Sequence, residues 1–160
     1  MLCLLLFKHS YAQETELIRF CQENRFNPIE FSEKLKGKNS NTPTIRILKV
    51  YEKSLNGNYK GFIHDAARMN SIKNQSINNP YILHLKQLEV CEYYLLKGEF
   101  NASKKGLERA VSFARTKREN QWVSQAYRLY SKVYLYENKK DSADLCINRA
   151  IEFAKRSTRS

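Results

Sequence analysis

Residues 109–115 read R-A-V-S-F-A-R, and forty residues further on 149–155 read R-A-I-E-F-A-K. A self-match at a fixed offset of a few tens of residues marks a stacked repeat, whose units bury their apolar faces against their neighbours. At the same offset Tyr94 matches Tyr134, Cys91 matches Ser131, Leu107 matches Ile147 and Gly98 matches Asn138. Each copy thus has one plan: an apolar helix, a Gly or Asn break, then an amphipathic helix with Ala at points of close approach. In the last copy Tyr127, Tyr130, Tyr134 and Leu135 surround Ser131 on the first helix. Ala143, Ile147, Ala150 and Ala154 mark the second. Spacings of three, four and seven place these residues on one stripe per helix. Small side chains at 131, 143 and 150 let the two helices pack closely, and Ala150 is expected where they touch.

Tyr127, Tyr130-Ser131, Tyr134, Asn138, Ala143, Ile147 and Ala150 follow the order large, large-small, large, turn, Ala, large, Ala. That order resembles the tetratricopeptide repeat. The preceding copy follows it through Val90-Cys91, Tyr94, Gly98, Ser103, Leu107 and Ala110, with Gln87 where a bulky residue is usual. A third copy is expected over 43–75, its second helix running through Tyr59, Phe62, Ala66, Met69 and Ile72. The period of about forty exceeds the family's usual 34, so the helices are lengthened. The resemblance covers residues 43–157. It implies an all-α chain: a right-handed solenoid of antiparallel helix hairpins, about three repeats of ~40 residues, preceded by an N-terminal helical segment over 13–42.

Local punctuation agrees. The three prolines each follow a good N-cap, in Asn27-Pro28, Thr42-Pro43 and Asn79-Pro80. Proline at the first helical position loses no hydrogen bond, since that N–H has no partner within the helix. Asn56-Gly57-Asn58, Lys97-Gly98-Glu99 and the stretch 137–140 read as turns within hairpins. The pattern predicts helices near 14–24, 28–36, 43–55, 59–74, 81–97, 101–117, 121–137 and 141–157.

Residues 1–12 read as a candidate signal peptide. Met1–Phe7 is apolar, and Ser10-Tyr11-Ala12 resembles a signal-peptidase site with cleavage before Gln13. The expected location is therefore outside the cytoplasm, in the periplasm, with a cytoplasmic chain as the alternative. The apolar run is too short to span a bilayer, which takes ~20 residues. Cys21, Cys91 and Cys146 would remain, each on a predicted helix and with no C-x-x-C spacing, which points to packing rather than redox or metal chemistry. His9, His64 and His84 lie far apart without ligand spacing, and His64 beside Asp65 reads as a solvated pair. No metal or cofactor is expected. No glycine-rich phosphate loop is present. Glu14, Glu16, Glu89, Glu92 and Glu108 fall among Lys and Arg on helix faces, where solvated pairs explain them, so no catalytic residue is assigned.

Lysine and arginine number 28 against 16 acidic residues, a formal charge of +12, which favours anionic partners. The densest basic cluster is 115–118. Tyrosines 127, 130 and 134 occupy packing positions and are not read as a base-stacking platform. The resemblance implies a non-enzymatic interaction scaffold whose first helices line a concave groove for a peptide or partner helix. Its groove positions fall on Leu85, Leu88, Glu92 and Leu95, then on Gln125, Arg128, Lys132 and Tyr136. An apolar strip leading to a basic end suits a protein or peptide ligand of apolar and acidic character. The family's clamp for a terminal carboxylate is not reproduced, because Leu88 and Glu92 stand where its Lys and Asn would be. Exported repeats of this kind resemble the sensing halves of membrane-bound regulators. The alternative is a nucleic-acid-binding helical repeat, which the charge favours but no repeated base-reading positions support. Leu145, Ile147, Ile151 and Phe153 spread apolar character around the last helix, so this end is expected to be covered, by self-association through the C-terminal helix, by a partner or by the rest of a longer array.

Overall fold

A computed structural model describes residues 2–23, 27–39 and 41–158, with side chains from residue 12 onward. The described residues form eight α-helices and no strand. These are α1 (Leu2–Glu23), α2 (Pro28–Leu35), α3 (Pro43–Leu55), α4 (Tyr59–Ala66), α5 (Pro80–Leu96), α6 (Phe100–Thr116), α7 (Asn120–Tyr136) and α8 (Lys140–Ser157). Two short 3-10 turns, Met69–Ser71 and Asn74–Ser76, lie between α4 and α5. Met1 of the candidate leader lies outside the described residues, as do the side chains through Tyr11; the backbone of α1 continues past Gln13.

Helix starts follow the caps. The Asn27 side chain accepts from the Glu30 N–H at 3.3 Å, Thr42 from Ile45 at 3.3 Å and Asn79 from Tyr81 at 2.9 Å, each ahead of a proline. Helix stops follow a second rule. The Glu99 N–H donates to Tyr94 O and the Gly98 N–H to Leu95 O, and the same pair of bonds recurs at 118–119 and at 138–139. This six-to-one plus five-to-two closure needs one residue in the left-handed region, here Gly98, Arg118 and Asn138 with φ of 76°, 57° and 58°. As a result α5, α6, α7 and α8 begin at residues 80, 100, 120 and 140. Each helix–turn unit takes twenty residues, and two make the forty-residue echo.

The expected helix over 59–74 ends at Ala66. Beyond it the stretch is rich in Asn and Ser, whose side chains compete for backbone partners. The Ser71 hydroxyl donates to Arg68 O and the Ser76 hydroxyl to Lys73 O, both at 2.7 Å. The buried Lys86 ammonium of α5 donates to the Ile72 carbonyl and to Asn74 Oδ1. An exposed helix would leave that cation unpaired in the interior, so the segment turns to meet it. Met69, Ile72 and Ile77 are still buried, reaching the core from irregular backbone.

From α2 onward consecutive helices pack pairwise, and α5 also meets α3 and α7. It is accordingly buried on nearly every side, as its apolar and small residues at 82, 85, 88, 91 and 95 allow. Gly106 of α6 sits where a Cβ would come within 2.5 Å of Cys91 Sγ, so a side chain there would force Cys91 to shift. Trp122 of α7 stacks between His84 of α5 and Phe113 of α6. In the α7–α8 hairpin Ala150 is buried and its carbonyl accepts the Ser124 hydroxyl at 2.7 Å. Phe153 is not a free apolar residue: it stacks on Tyr127 at 5.9 Å with Arg115 and Arg156 over its ring. Leu135 and Ile147, read as packing positions, are 53% and 40% exposed, because no further helix covers that face of the hairpin. Cys21, Cys91 and Cys146 are buried free thiols, with burial pushing those of Cys21 and Cys91 up to about 12. Thiols held protonated are packing groups rather than nucleophiles.

Candidate peptide-binding groove

Two helices in the same phase build the site. On α5, residues 85, 88, 89 and 92 share one stripe; on α7, residues 125, 128, 129 and 132 share the matching one, forty positions on. Because the two helices repeat, these stripes face the same concavity. Leu85, Leu88, Glu89 and Glu92 line it from α5, and Gln125, Arg128, Leu129, Ser131, Lys132 and Leu135 from α7. Tyr51, Ser54 and Leu55 of α3 close one side and Ile147 of α8 the other. The volume is about 490 Å³.

Six of the eight residues expected in a groove therefore come together: Leu85, Leu88, Glu92, Gln125, Arg128 and Lys132. Leu95 does not join them; one turn beyond Glu92, it rotates into the core and is buried. Tyr136, the last residue of α7, stands outside the lining and is 59% exposed.

The floor carries charge that the sequence reading placed in solvent. Glu92 and Glu89 are both buried, the latter at 2% exposure. α3 lies over that face of α5, and no local pattern within α5 announces its arrival. Glu92 has two partners: the Ser54 hydroxyl donates to Oε2 at 2.8 Å and the Lys132 ammonium to Oε1 at 3.3 Å. It thereby ties α3 and α7 to α5. Glu89 Oε2 is sealed from solvent with no hydrogen-bond partner, as is Gln125 Oε1. Burial pushes the Glu89 carboxyl well above the usual range, the Glu92 charge adds to the rise and Lys132 opposes it. Glu89 thus keeps its proton where ordinary carboxylates are ionised. The register signal for it was present: the next copy places Leu129 at the same position, so Glu89 is an acid at a packing position.

Compared with family models, with curated proteins and with solved structures, the chain matches none.

A larger cleft of about 700 Å³ between α2, α3 and α4 contains none of the eight expected residues. Its cations are mixed with acids: Lys53 pairs with Asp65, and His64 Nδ1 lies 2.8 Å from the same carboxylate. Among the described residues no three His, Cys, Asp or Glu side chains gather as a metal site, and no helix is long and apolar enough to cross a membrane.

Proposed function

We propose that this chain is a non-enzymatic interaction scaffold, built as a tetratricopeptide-like right-handed solenoid, that holds a peptide or partner helix in the α3–α5–α7 groove. One observation carries the reading: matching positions of two successive copies converge on a single concavity, with leucines on its walls and Arg128 and Lys132 on α7. Such a surface suits a ligand with apolar residues and acidic character. Together Arg128 and Lys132, the latter also paired with Glu92, give the α7 wall a positive charge toward an acidic group on the partner. A role outside the cytoplasm, within a sensory or regulatory system, belongs to the same reading. It rests on the 1–12 leader pattern, and amino-terminal sequencing of the mature chain tests it, with Gln13 the expected first residue.

The groove is tested by selecting binders from a displayed random peptide library and mapping them by backbone NMR. Selected peptides are expected to shift signals over 85–92 and 125–132. Arg128→Glu with Leu135→Asp, both exposed positions, is expected to weaken binding at least about tenfold, roughly 1.4 kcal/mol, with helicity unchanged by circular dichroism. Peptides that bind the double variant equally well would place the site elsewhere. Preferential capture of single-stranded RNA over all peptides, with the basic 115–118 turn shifted, would favour the nucleic-acid reading.

A further inference from the structure

Two polar atoms in the groove have no partner, and they differ in chemistry. Glu89 belongs to α5 and Gln125 to α7, yet both side chains line the same concavity. Glu89 Oε2 and Gln125 Oε1 are each closed to solvent without a hydrogen bond. A buried polar atom left unpaired is destabilising and calls for an explanation. A carboxyl that holds its proton has one O–H to donate, while an amide oxygen can only accept. A ligand that bonds to both atoms must carry an acceptor for the one and a donor for the other. A peptide unit does, through its C=O and its N–H.

We propose that Glu89 and Gln125 form a receptor for one main-chain peptide group of the docked segment, the Glu89 O–H donating to its carbonyl and Gln125 Oε1 accepting its N–H. This deepens the reading of the groove as a peptide site and rests on it. It also decides the ligand's conformation. Peptide groups inside a helix are already bonded to one another, so the segment that enters is extended. A ligand carboxylate at the floor would face the buried Glu92 charge, and a ligand ammonium would compete with Lys132 for it. An uncharged amide meets neither obstacle. Both receptor atoms are closed to solvent, so binding requires the two side chains to turn toward the groove.

Occupancy is then linked to a proton. The charged groups acting on Glu89 are Glu92 of its own helix and Lys132 of α7. Cys91 also lies close to it on α5, with Arg109 of α6 acting on that thiol. Tyr51 of α3 and Arg128 of α7 complete the titratable lining. Only protonated Glu89 can donate, so binding is present at lower pH and is lost as pH rises through the point where Glu89 ionises.

The test uses three small probes followed by backbone NMR: N-acetylleucine methylamide, the corresponding methyl ester that lacks one N–H, and cationic leucine methylamide. The methylamide is expected to shift signals over 85–92 and 125–132, with the ester at least about threefold weaker. Its affinity should fall at least about threefold as pH is raised through the point where Glu89 ionises. In Glu89→Gln, whose amide still donates but does not titrate, binding should persist with a flat pH profile; in Glu89→Met it should be lost. The wild-type pH profile stands even if a variant fails to fold. A flat wild-type profile, equal binding of the ester or preference for the cation would overturn the receptor. If library peptides still occupy the groove in any of those cases, the groove reading survives alone. If neither probes nor peptides shift these residues, both fall.

Discussion

His84 lies face to face with Trp122, ring centroids 5.3 Å apart, and neither ring nitrogen makes a hydrogen bond. Burial pushes its pKa down to about 4, with the Trp122 backbone pulling weakly the other way from outside bonding geometry. Neutral His84 therefore suits the fold and charged His84 does not. The sign follows from linkage: its stabilising effect is present above the unfolded value near 6.5 and is lost as pH falls through about 4. The full loss is of the order of 3 kcal/mol. Glu89 acts in the opposite sense over part of that window, its raised value favouring the fold at low pH and losing that benefit as pH rises. The difference between two proteins isolates the histidine. His84→Phe keeps a ring on Trp122 and is expected to flatten the fall in thermal midpoint between about pH 6.5 and pH 4.5, above the range in which Asp65 and Glu137 are protonated. An unchanged slope would mean that the ring is charged or solvated in the folded chain. His84 was not legible as buried from its own helix, and Glu89 only through the register that matches it to Leu129. A histidine or glutamate on a helix looks solvated until a distant segment covers it, and here α7 and α3 do the covering.

At the level of the element the reverse holds, because helix starts and stops are written locally. The cap-plus-proline pairs and the Gly or Asn at 57, 98 and 138 gave α2, α3 and α5 to α8 to within about two residues. The turn at 118 was the exception, since nothing marks an arginine as left-handed. Arg118 nonetheless adopts φ 57° and closes α6 with the bonds that Gly98 and Asn138 use. A side chain in that region costs ~1 kcal/mol or more, which glycine avoids. Arg118→Gly is therefore expected to raise stability by about 1 kcal/mol in denaturant titration. A loss of stability would show instead that Arg118 makes a contact outweighing the backbone strain. The end of α4 was illegible for a different reason. Its break is tied to Lys86, fourteen residues beyond Ile72, and the Asn and Ser residues around it do not by themselves fix its place.

Over the molecule as a whole, the forty-residue echo was legible as repetition, and six of the eight positions that the resemblance implied share one concavity. The echo was silent on what closes the two ends. At the α8 end Leu145 and Ile151 are about half exposed, next to Ile147. Phe153, which sequence placed among them, is held by Tyr127. Ile151→Glu is thus the informative variant. Light scattering is expected to show concentration-dependent association of the parent chain that this variant reduces, whereas identical behaviour would mean that the exposed face is too small to drive contact. The other whole-molecule consequence comes from Lys86. Its ammonium holds the irregular stretch 67–79 against α5, and α3 supplies a groove wall from beyond that stretch. Loss of that tie should loosen the stretch and the helices before it without unfolding α6 to α8. In Lys86→Met, native-state hydrogen exchange is expected to quicken across α3 and α4 while α6, α7 and α8 keep their rates. A ligand gripping Tyr51 and Leu129 together would splint the same joint, so groove occupancy should be audible as slower exchange along the whole of α3, well past the residues it touches.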